Sequence, residues 1–291
     1  MAYTFPGFDE LPKVQGTPQG CVWGFYDKDG VKDEVGYWPL HSLKFPGFAR
    51  KALQHQILDN HVTLKDYAFD DEVHFNTQAG SQWDSLKHVF YNGLTVEEAK
   101  TSVTNGLHNI CDRGGVVGRG VLVDMVRYWQ KIGQELPDPW SSYAISVEEL
   151  GAALVDQGTQ TRQGDILLVR SGYVKRHNEA TDEERKRGTQ GSSSIGLAPI
   201  EETVRWLYNC HFAAVAGDTV GFEALPRDFE NPFALHEWLL VFWGTPIGEL
   251  WDLEGLGKTC EELGRWTFFL TSAPLNIRGG VGSPPGAIAI F

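Results

Sequence analysis

Four polar residues with chemically useful side chains lie close together in the first third of the sequence. The segment reads Gln78-Ala-Gly-Ser-Gln82-Trp-Asp84-Ser-Leu-Lys-His88. If it is extended, Gln82 and Asp84 share a face, because side chains alternate along a strand. Asp84 and His88 could bind a metal ion, or one could orient the other as a general base. A polar loop with a structural histidine is the alternative interpretation of the same spacing.

A second histidine and a second acid flank an apolar stretch later in the chain. His236 begins the run Glu-Trp-Leu-Leu-Val-Phe-Trp, and Glu249 follows the sequence Gly-Thr-Pro-Ile-Gly. An ionisable group among apolar residues must be paired, bound to a metal or neutralised, because burying an isolated charge is very costly. His236 and Glu249 are therefore candidate metal ligands. A core histidine bonded to a backbone carbonyl would give the same pattern.

The elements that must position these residues alternate between strand and helix. Strand patterns are found at 120–126, 164–172, 212–218, 266–271 and 287–291. Helices are predicted from the capping box at Ser146 to Gly158, from Ile200 to Tyr208 and from His236 to Phe242. The alternation predicts an α/β fold, a single domain with a mixed β-sheet, with 188–194 and 279–285 as its loops.

Composition and charge argue against several classes of protein. The chain has 291 residues, of which 42% are apolar and 22% charged, a globular balance. Acidic residues outnumber basic ones 38 to 25, which argues against nucleic acid as a partner, since lysine and arginine must neutralise phosphates. The four cysteines form no Cys-x-x-Cys pair, and no secretory signal or apolar run of membrane-spanning length is evident. We therefore expect a reduced, cytoplasmic protein without membrane association.

The first segment resembles the signature of the putative-cyclase superfamily, which includes bacterial kynurenine formamidases and isatin hydrolases. That signature is His-x-Gly-Thr-His-x-Asp-x-Pro-x-His, and here it reads Gln78-x-Gly-Ser-Gln82-x-Asp84-x-Leu86-x-His88. The replacement of two histidines by glutamine looks like fungal members. The resemblance implies the swivelling β/β/α cyclase-like fold.

The resemblance also extends to other parts of the chain. The runs 118–124 and 164–173 are similar to strands of the superfamily, and Asp218 is similar to the acid that ends the strand before the ligand helix. It implies a catalytic domain over residues 36–291. Residues 1–35 match nothing in the superfamily, and we expect them to form an N-terminal arm that could cross a neighbouring subunit.

The resemblance implies a metal site with fewer imidazoles than usual. Gln78 and Gln82 stand where the formamidases have metal-binding histidines, whereas Asp84, His88 and the later His and Glu are retained. We expect one divalent ion, with the ligands Gln82, Asp84, His236 and Glu249. This oxygen-rich set favours Mn²⁺ or Mg²⁺ over Zn²⁺. Complete loss of the metal is the alternative.

The function implied by the resemblance is hydrolysis of a cyclic or formyl amide, or of a lactone, in a small aromatic substrate. A metal-activated water would attack, with His88 as proton shuttle and Asp84 beside it as a second catalytic residue. The substrate would contact Gln78, Trp83, Phe90 and Tyr91, although the core is the more usual place for the three aromatic residues. A metal-free lyase, isomerase or cyclase using His88 and Asp84, and a non-catalytic binding protein, are the alternatives. Superfamily members assemble as dimers or tetramers, so a homodimer or homotetramer is expected.

Overall fold

The computed structural model describes residues 6–22, 54–59, 68–89, 95–228 and 230–291. The strands in these ranges are β1 (Gln54–Asp59), β2 (Phe69–His74), β3 (Gln82–Asp84), β4 (Val116–Asp124), β5 (Ala144–Ile145), β6 (Ile166–Arg170), β7 (Gly196–Leu197), β8 (Ala214–Gly217), β9 (Ile247–Glu249), β10 (Thr267–Ser272), β11 (Gly282–Ser283) and β12 (Ala287–Ile290). The α-helices are α1 (Val96–Thr101), α2 (His108–Asp112), α3 (Met125–Lys131), α4 (Val147–Asp156), α5 (Tyr173–Glu179), α6 (Asp182–Thr189), α7 (Glu201–Cys210) and α8 (Glu254–Leu263). A 3-10 turn spans Phe8–Glu10, and a π-helix spans Glu237–Trp243.

A mixed eight-stranded sheet organises the fold. Its order is β11-β3-β9-β8-β6-β4-β10-β12. The four middle strands, from β9 to β4, run parallel, and the two strands at either end are antiparallel to their neighbours. Two small sheets, β1-β2 and β5-β7, lie outside it. The predicted α/β fold with a mixed sheet is confirmed.

Apolar side chains cover the sheet on both faces, because the middle strands alternate between two clusters. Val121, Leu167 and Val215 pack into the larger cluster, together with α3, α4, α7 and the π-helix. Their neighbours Leu122 and Leu168 face the smaller cluster, which includes Cys260 of α8. Strands buried on both faces are near-continuous apolar runs, which is the pattern visible in the sequence.

Most predicted elements are found, with shifts at their ends that have local causes. The strand predicted at 120–126 ends at Asp124, because the Asp124 carboxylate accepts a hydrogen bond from the Arg127 N–H and begins α3. The capping box at Ser146 begins α4 as predicted. Gly188 and Thr189, predicted to lie in a loop, complete α6 instead.

The described part of the expected N-terminal arm packs on the chain's own core. Phe8 is buried against Trp238 and Tyr208, and its backbone N–H donates to Asn209. The boundary expected near residue 35 lies outside the described residues. Among the described helices, none combines the length and apolarity required to cross a membrane.

Candidate active site

The pairing of β3 with β9 places three of the predicted site residues side by side. Gln82 lies opposite Glu249 in this antiparallel register, and Asp84 lies two residues further along β3. The three side chains are almost completely buried. Two contacts outside the ladder fix the pairing: the Trp251 indole donates to the Gln82 carbonyl, and the Ser81 hydroxyl donates to the Leu250 carbonyl.

The Gln82 amide connects the two carboxylates. Its Nε2 donates to Asp84 Oδ1 at 3.0 Å and to Glu249 Oε2 at 2.8 Å. Because both acceptors are carboxylates, the NH2 group of the amide must face them. The expectation that Gln82 and Asp84 share one face of a strand is therefore confirmed. Gln82 also holds together two acids that would otherwise repel each other.

His236 lies between two acids. Its Nδ1 is 2.7 Å from Glu223 Oε1, and its Nε2 is 3.1 Å from Glu249 Oε1. Burial and the charge of Arg227 lower the pKa of His236, but hydrogen bonds to Glu223 and Glu249 outweigh them and raise it to about 10. A proton on His236 thus offsets part of the negative charge buried here.

Gln78 and His88 complete the polar cluster on the other side of Asp84. Gln78 Nε2 donates to Asp84 Oδ1 and to His88 Nδ1, each at 2.7 Å. His88 Nε2 lies 3.8 Å from Asp84 Oδ2. The His88 side chain is 28% exposed, whereas that of Asp84 is fully buried, so His88 lies on the solvent side of the cluster.

The residues present fit a divalent cation. Asp84 Oδ2 and Gln82 Oε1 are buried and have no hydrogen-bond partner in the described ranges. One ligand atom each from Asp84, His88 and His236 lies within 4.8 Å of the others, a spacing compatible with ligand bonds of about 2.0–2.6 Å to a shared ion. A cation would contact the orphaned oxygens and balance the negative charge of the buried carboxylates.

This three-residue cluster differs in part from the ligand set expected from the sequence. Asp84 and His236 belong to both sets. His88, expected to be a proton shuttle, is close enough to be a ligand. Glu249 and Gln82 reach the cluster through hydrogen bonds to His236 and Asp84.

The expectation that Trp83 stacks on a substrate is wrong. Trp83 is fully buried and belongs to the smaller apolar cluster, where its ring contacts Trp251 and its indole N–H donates to Ser272 Oγ. The physical reason is strand alternation: Trp83 points away from the face shared by Gln82 and Asp84. Phe90 and Tyr91, the other predicted stacking residues, lie outside the described residues.

Asp218, the acid that follows β8, makes hydrogen bonds that stabilise the fold. Asp218 is fully buried, and its carboxylate accepts hydrogen bonds from the Ser171 N–H and hydroxyl and from the Gly172 N–H. Burial raises the pKa of Asp218 despite these hydrogen bonds. The contacts connect the ends of two neighbouring parallel strands, β6 and β8.

Two residues of the site were missed by the sequence analysis. Glu223 binds His236 directly, and Arg227 forms an ion pair with Glu223 at 3.2 Å. Neither belongs to a periodic pattern or to the signature. The only available signal was an acid close to a buried histidine, which is too common in sequences to be selective.

Comparison with known proteins places this arrangement in a family. The family described as Putative cyclase matches residues 22–224, more than half of the chain. The chain belongs to this family. A solved structure described as a novel cyclase shares 30% sequence identity, with a TM-score of 0.71 over 89% of this chain and 85% of the other. A comparison with curated proteins finds no match.

Two isatin hydrolases have similar folds at low sequence identity. Isatin hydrolase A from Ralstonia solanacearum is 15% identical, with a TM-score of 0.60 over 89% of each chain. Isatin hydrolase A from Labrenzia aggregata, solved with benzyl benzoate bound, is 16% identical, with a TM-score of 0.58 over 87% of this chain and 89% of the other. At these identities, the likeness shows that the cyclase-like fold is shared.

Proposed function

We propose that this cyclase-family protein is a metal-dependent hydrolase. Its substrate would be a cyclic amide, a formyl amide or a lactone of a small aromatic compound. The observation that carries the proposal is the cluster of Asp84, His88 and His236 around a buried carboxylate oxygen without a hydrogen-bond partner. The fold shared with two isatin hydrolases supports a cyclic amide as the first substrate to test.

Asp84 and His236 would hold the ion, with Glu249 and Gln82 beside them. The ion would supply Lewis-acid chemistry, by lowering the pKa of a water and polarising a carbonyl. The oxygen-rich surroundings favour Mn²⁺ or Mg²⁺. Gln82 contributes by keeping the Asp84 and Glu249 carboxylates at fixed positions.

His88 is suited to move a proton. Because the Gln78 NH2 group donates to Nδ1, a neutral His88 carries its proton on Nε2. Nε2 is also the ring nitrogen near Asp84. From this partly exposed position, His88 can protonate the nitrogen or oxygen that leaves when the amide or ester bond breaks.

Elemental analysis of protein purified without chelator tests the metal, and an amide and lactone panel tests the reaction. We expect close to one equivalent of a divalent metal in the wild type, none in Asp84→Asn, and turnover that chelator abolishes. Asp165→Asn is the matched control, because Asp165 is equally buried but pairs with Arg119 away from the site. A metal-free wild type, or equal metal in Asp84→Asn, would contradict the proposal.

Acid–base chemistry without a metal is the second candidate. The specific observation in its favour is that the hydrogen bonds of Gln82, and the contact of His236 with Glu249, already stabilise the buried carboxylates. In this case His88 and Asp84 would act as acid and base in a lyase, isomerase or cyclase reaction. Full activity in excess chelator would favour this candidate over the hydrolase.

A further inference from the structure

Glu223 is a buried acid on the side of His236 that faces away from Glu249. Its side chain is 1% exposed. Glu223 Oε1 lies 2.7 Å from His236 Nδ1, and Glu223 Oε2 accepts a hydrogen bond from the Leu235 N–H at 2.6 Å. Both carboxylate oxygens therefore contact donors from the segment that carries His236.

We propose that Glu223 is a positioning residue, which fixes the imidazole of His236 through Nδ1 so that Nε2 faces Glu249 and the candidate metal site. The consequence for metal binding rests on the proposed function. The consequence for the His236 ring does not, because it follows from the hydrogen bonds between Glu223 and the segment that carries His236. Carboxylates that orient a metal-binding histidine typically change metal affinity by about 10–100-fold when they are removed.

The contacts of Glu223 require a carboxylate. Oε1 faces the His236 ring and the Arg227 guanidinium, and Oε2 faces a backbone N–H. A glutamine has one oxygen and one NH2 group, so in either orientation it would place a donor against a donor. Glu223→Gln is therefore nearly isosteric with the wild type but cannot make the same hydrogen bonds.

Arg227 also stabilises the ionised form of Glu223, and it does so at Oε1, the oxygen that faces His236. It is 3.2 Å from Glu223 and also pairs with Glu237, the first residue of the π-helix. These ion pairs connect the segment that carries Glu223 to the helix that follows His236. Because this helix is almost completely buried, the backbone on both sides of the imidazole is held by the core.

Two further variants provide a conservative substitution and a matched control. Glu223→Asp keeps both acceptor oxygens but withdraws them by one methylene, so it should restore part of the function. Glu149→Gln removes a carboxylate with as many contacts, but Glu149 lies in the first turn of α4 and its partners are Ser146, Trp129 and Tyr143, none of them a residue of the site. A purely structural effect of losing a hydrogen-bonded glutamate would therefore also appear in Glu149→Gln.

The experiment combines calorimetric titration with Mn²⁺ and histidine NMR of ¹⁵N-labelled, metal-free protein. We expect Glu223→Gln to weaken Mn²⁺ binding by about 10–100-fold, Glu223→Asp to lie between it and the wild type, and Glu149→Gln to bind like the wild type. In the spectra, the hydrogen-bonded Nδ1–H signal of His236 should be present in wild type and Glu149→Gln and absent in Glu223→Gln.

The two readouts separate failure of this inference from failure of the proposed function. An unchanged His236 signal in Glu223→Gln, or unchanged Mn²⁺ affinity in that variant, would overturn the positioning role. If the wild type binds neither Mn²⁺ nor Mg²⁺, the hydrolase proposal fails, and the His236 spectra alone decide whether Glu223 positions the ring.

Discussion

The amide nitrogen of Gln78 lies 2.7 Å from Nδ1 of His88, and this hydrogen bond determines which nitrogen of a neutral His88 carries the proton. The family signature has a histidine at position 78. In this chain, a neutral amide orients the proposed proton shuttle without adding a titratable group.

Replacing Gln78 by alanine should reduce turnover more than metal content. The substitution removes the donor to His88 Nδ1, and a lost hydrogen bond corresponds to roughly a tenfold loss of rate. Turnover and bound metal are measured on the same preparation. Gln78→Glu tests the same contact, because a carboxylate at this position would face Asp84 and could not donate the hydrogen bond that the amide donates. Loss of metal from Gln78→Ala in proportion to activity would contradict a positioning role.

Replacing His88 by alanine distinguishes a proton shuttle from a ligand. As a general acid, His88 contributes about 10²–10⁴-fold to the rate, so kcat should fall by that factor while the metal content stays nearly constant. His236→Ala is the comparison and should lose the metal. If His88→Ala loses the metal equally, His88 is a ligand, which its place in the three-residue cluster permits.

Gly248 should not tolerate even a methyl group. A Cβ at this position would lie 2.6 Å from Ala216 Cβ and 2.7 Å from the Trp251 indole nitrogen. We expect Gly248→Ala to lower the free energy of unfolding by about 1–3 kcal/mol, since overpacking a core has this cost. Because Gly248 directly precedes Glu249, the substitution should also displace the Glu249 carboxylate from its position in the site.

Gly255→Ala is the matched control for that experiment. A Cβ at position 255 in α8 would meet nothing within 4 Å, and alanine is favoured over glycine in helices. Chemical denaturation of both variants measures the difference. Equal stability of Gly248→Ala and the wild type would show that a methyl group fits between β8 and β9.

Cys260 should resist thiol reagents in the folded protein. Burial and the nearby Asp124 raise the pKa of its thiol to about 12, and the reactive species is the thiolate. At pH 8, labelling followed by mass spectrometry should find Cys260 unmodified until the protein is unfolded. The folded state keeps this proton to a higher pH than the unfolded chain. The stability contributed by the thiol therefore falls as pH rises from about 9 towards about 12. Rapid labelling of the native protein at pH 8 would contradict this environment.

The sequence predicted the parts of this structure that depend on local pattern. The apolar runs of β4, β6 and β8 and the Ser146 capping box are local signals, and alternation along β3 correctly placed Gln82 and Asp84 on one face. The same alternation should have excluded Trp83 from the site. Glu223 could not have been found, because a contact with the distant strand β7 helps to place it.

The pairing of β3 with β9 also affects when the site forms during folding. Gln82 and Glu249 meet across 167 residues, through strands of only three residues each. Closing a loop of this length costs entropy that two strands of three residues do little to offset, so we expect them to pair after the rest of the sheet is in place. A nascent chain on the ribosome has no site until Glu249 has emerged, and ligand binding should therefore report on the last steps of maturation.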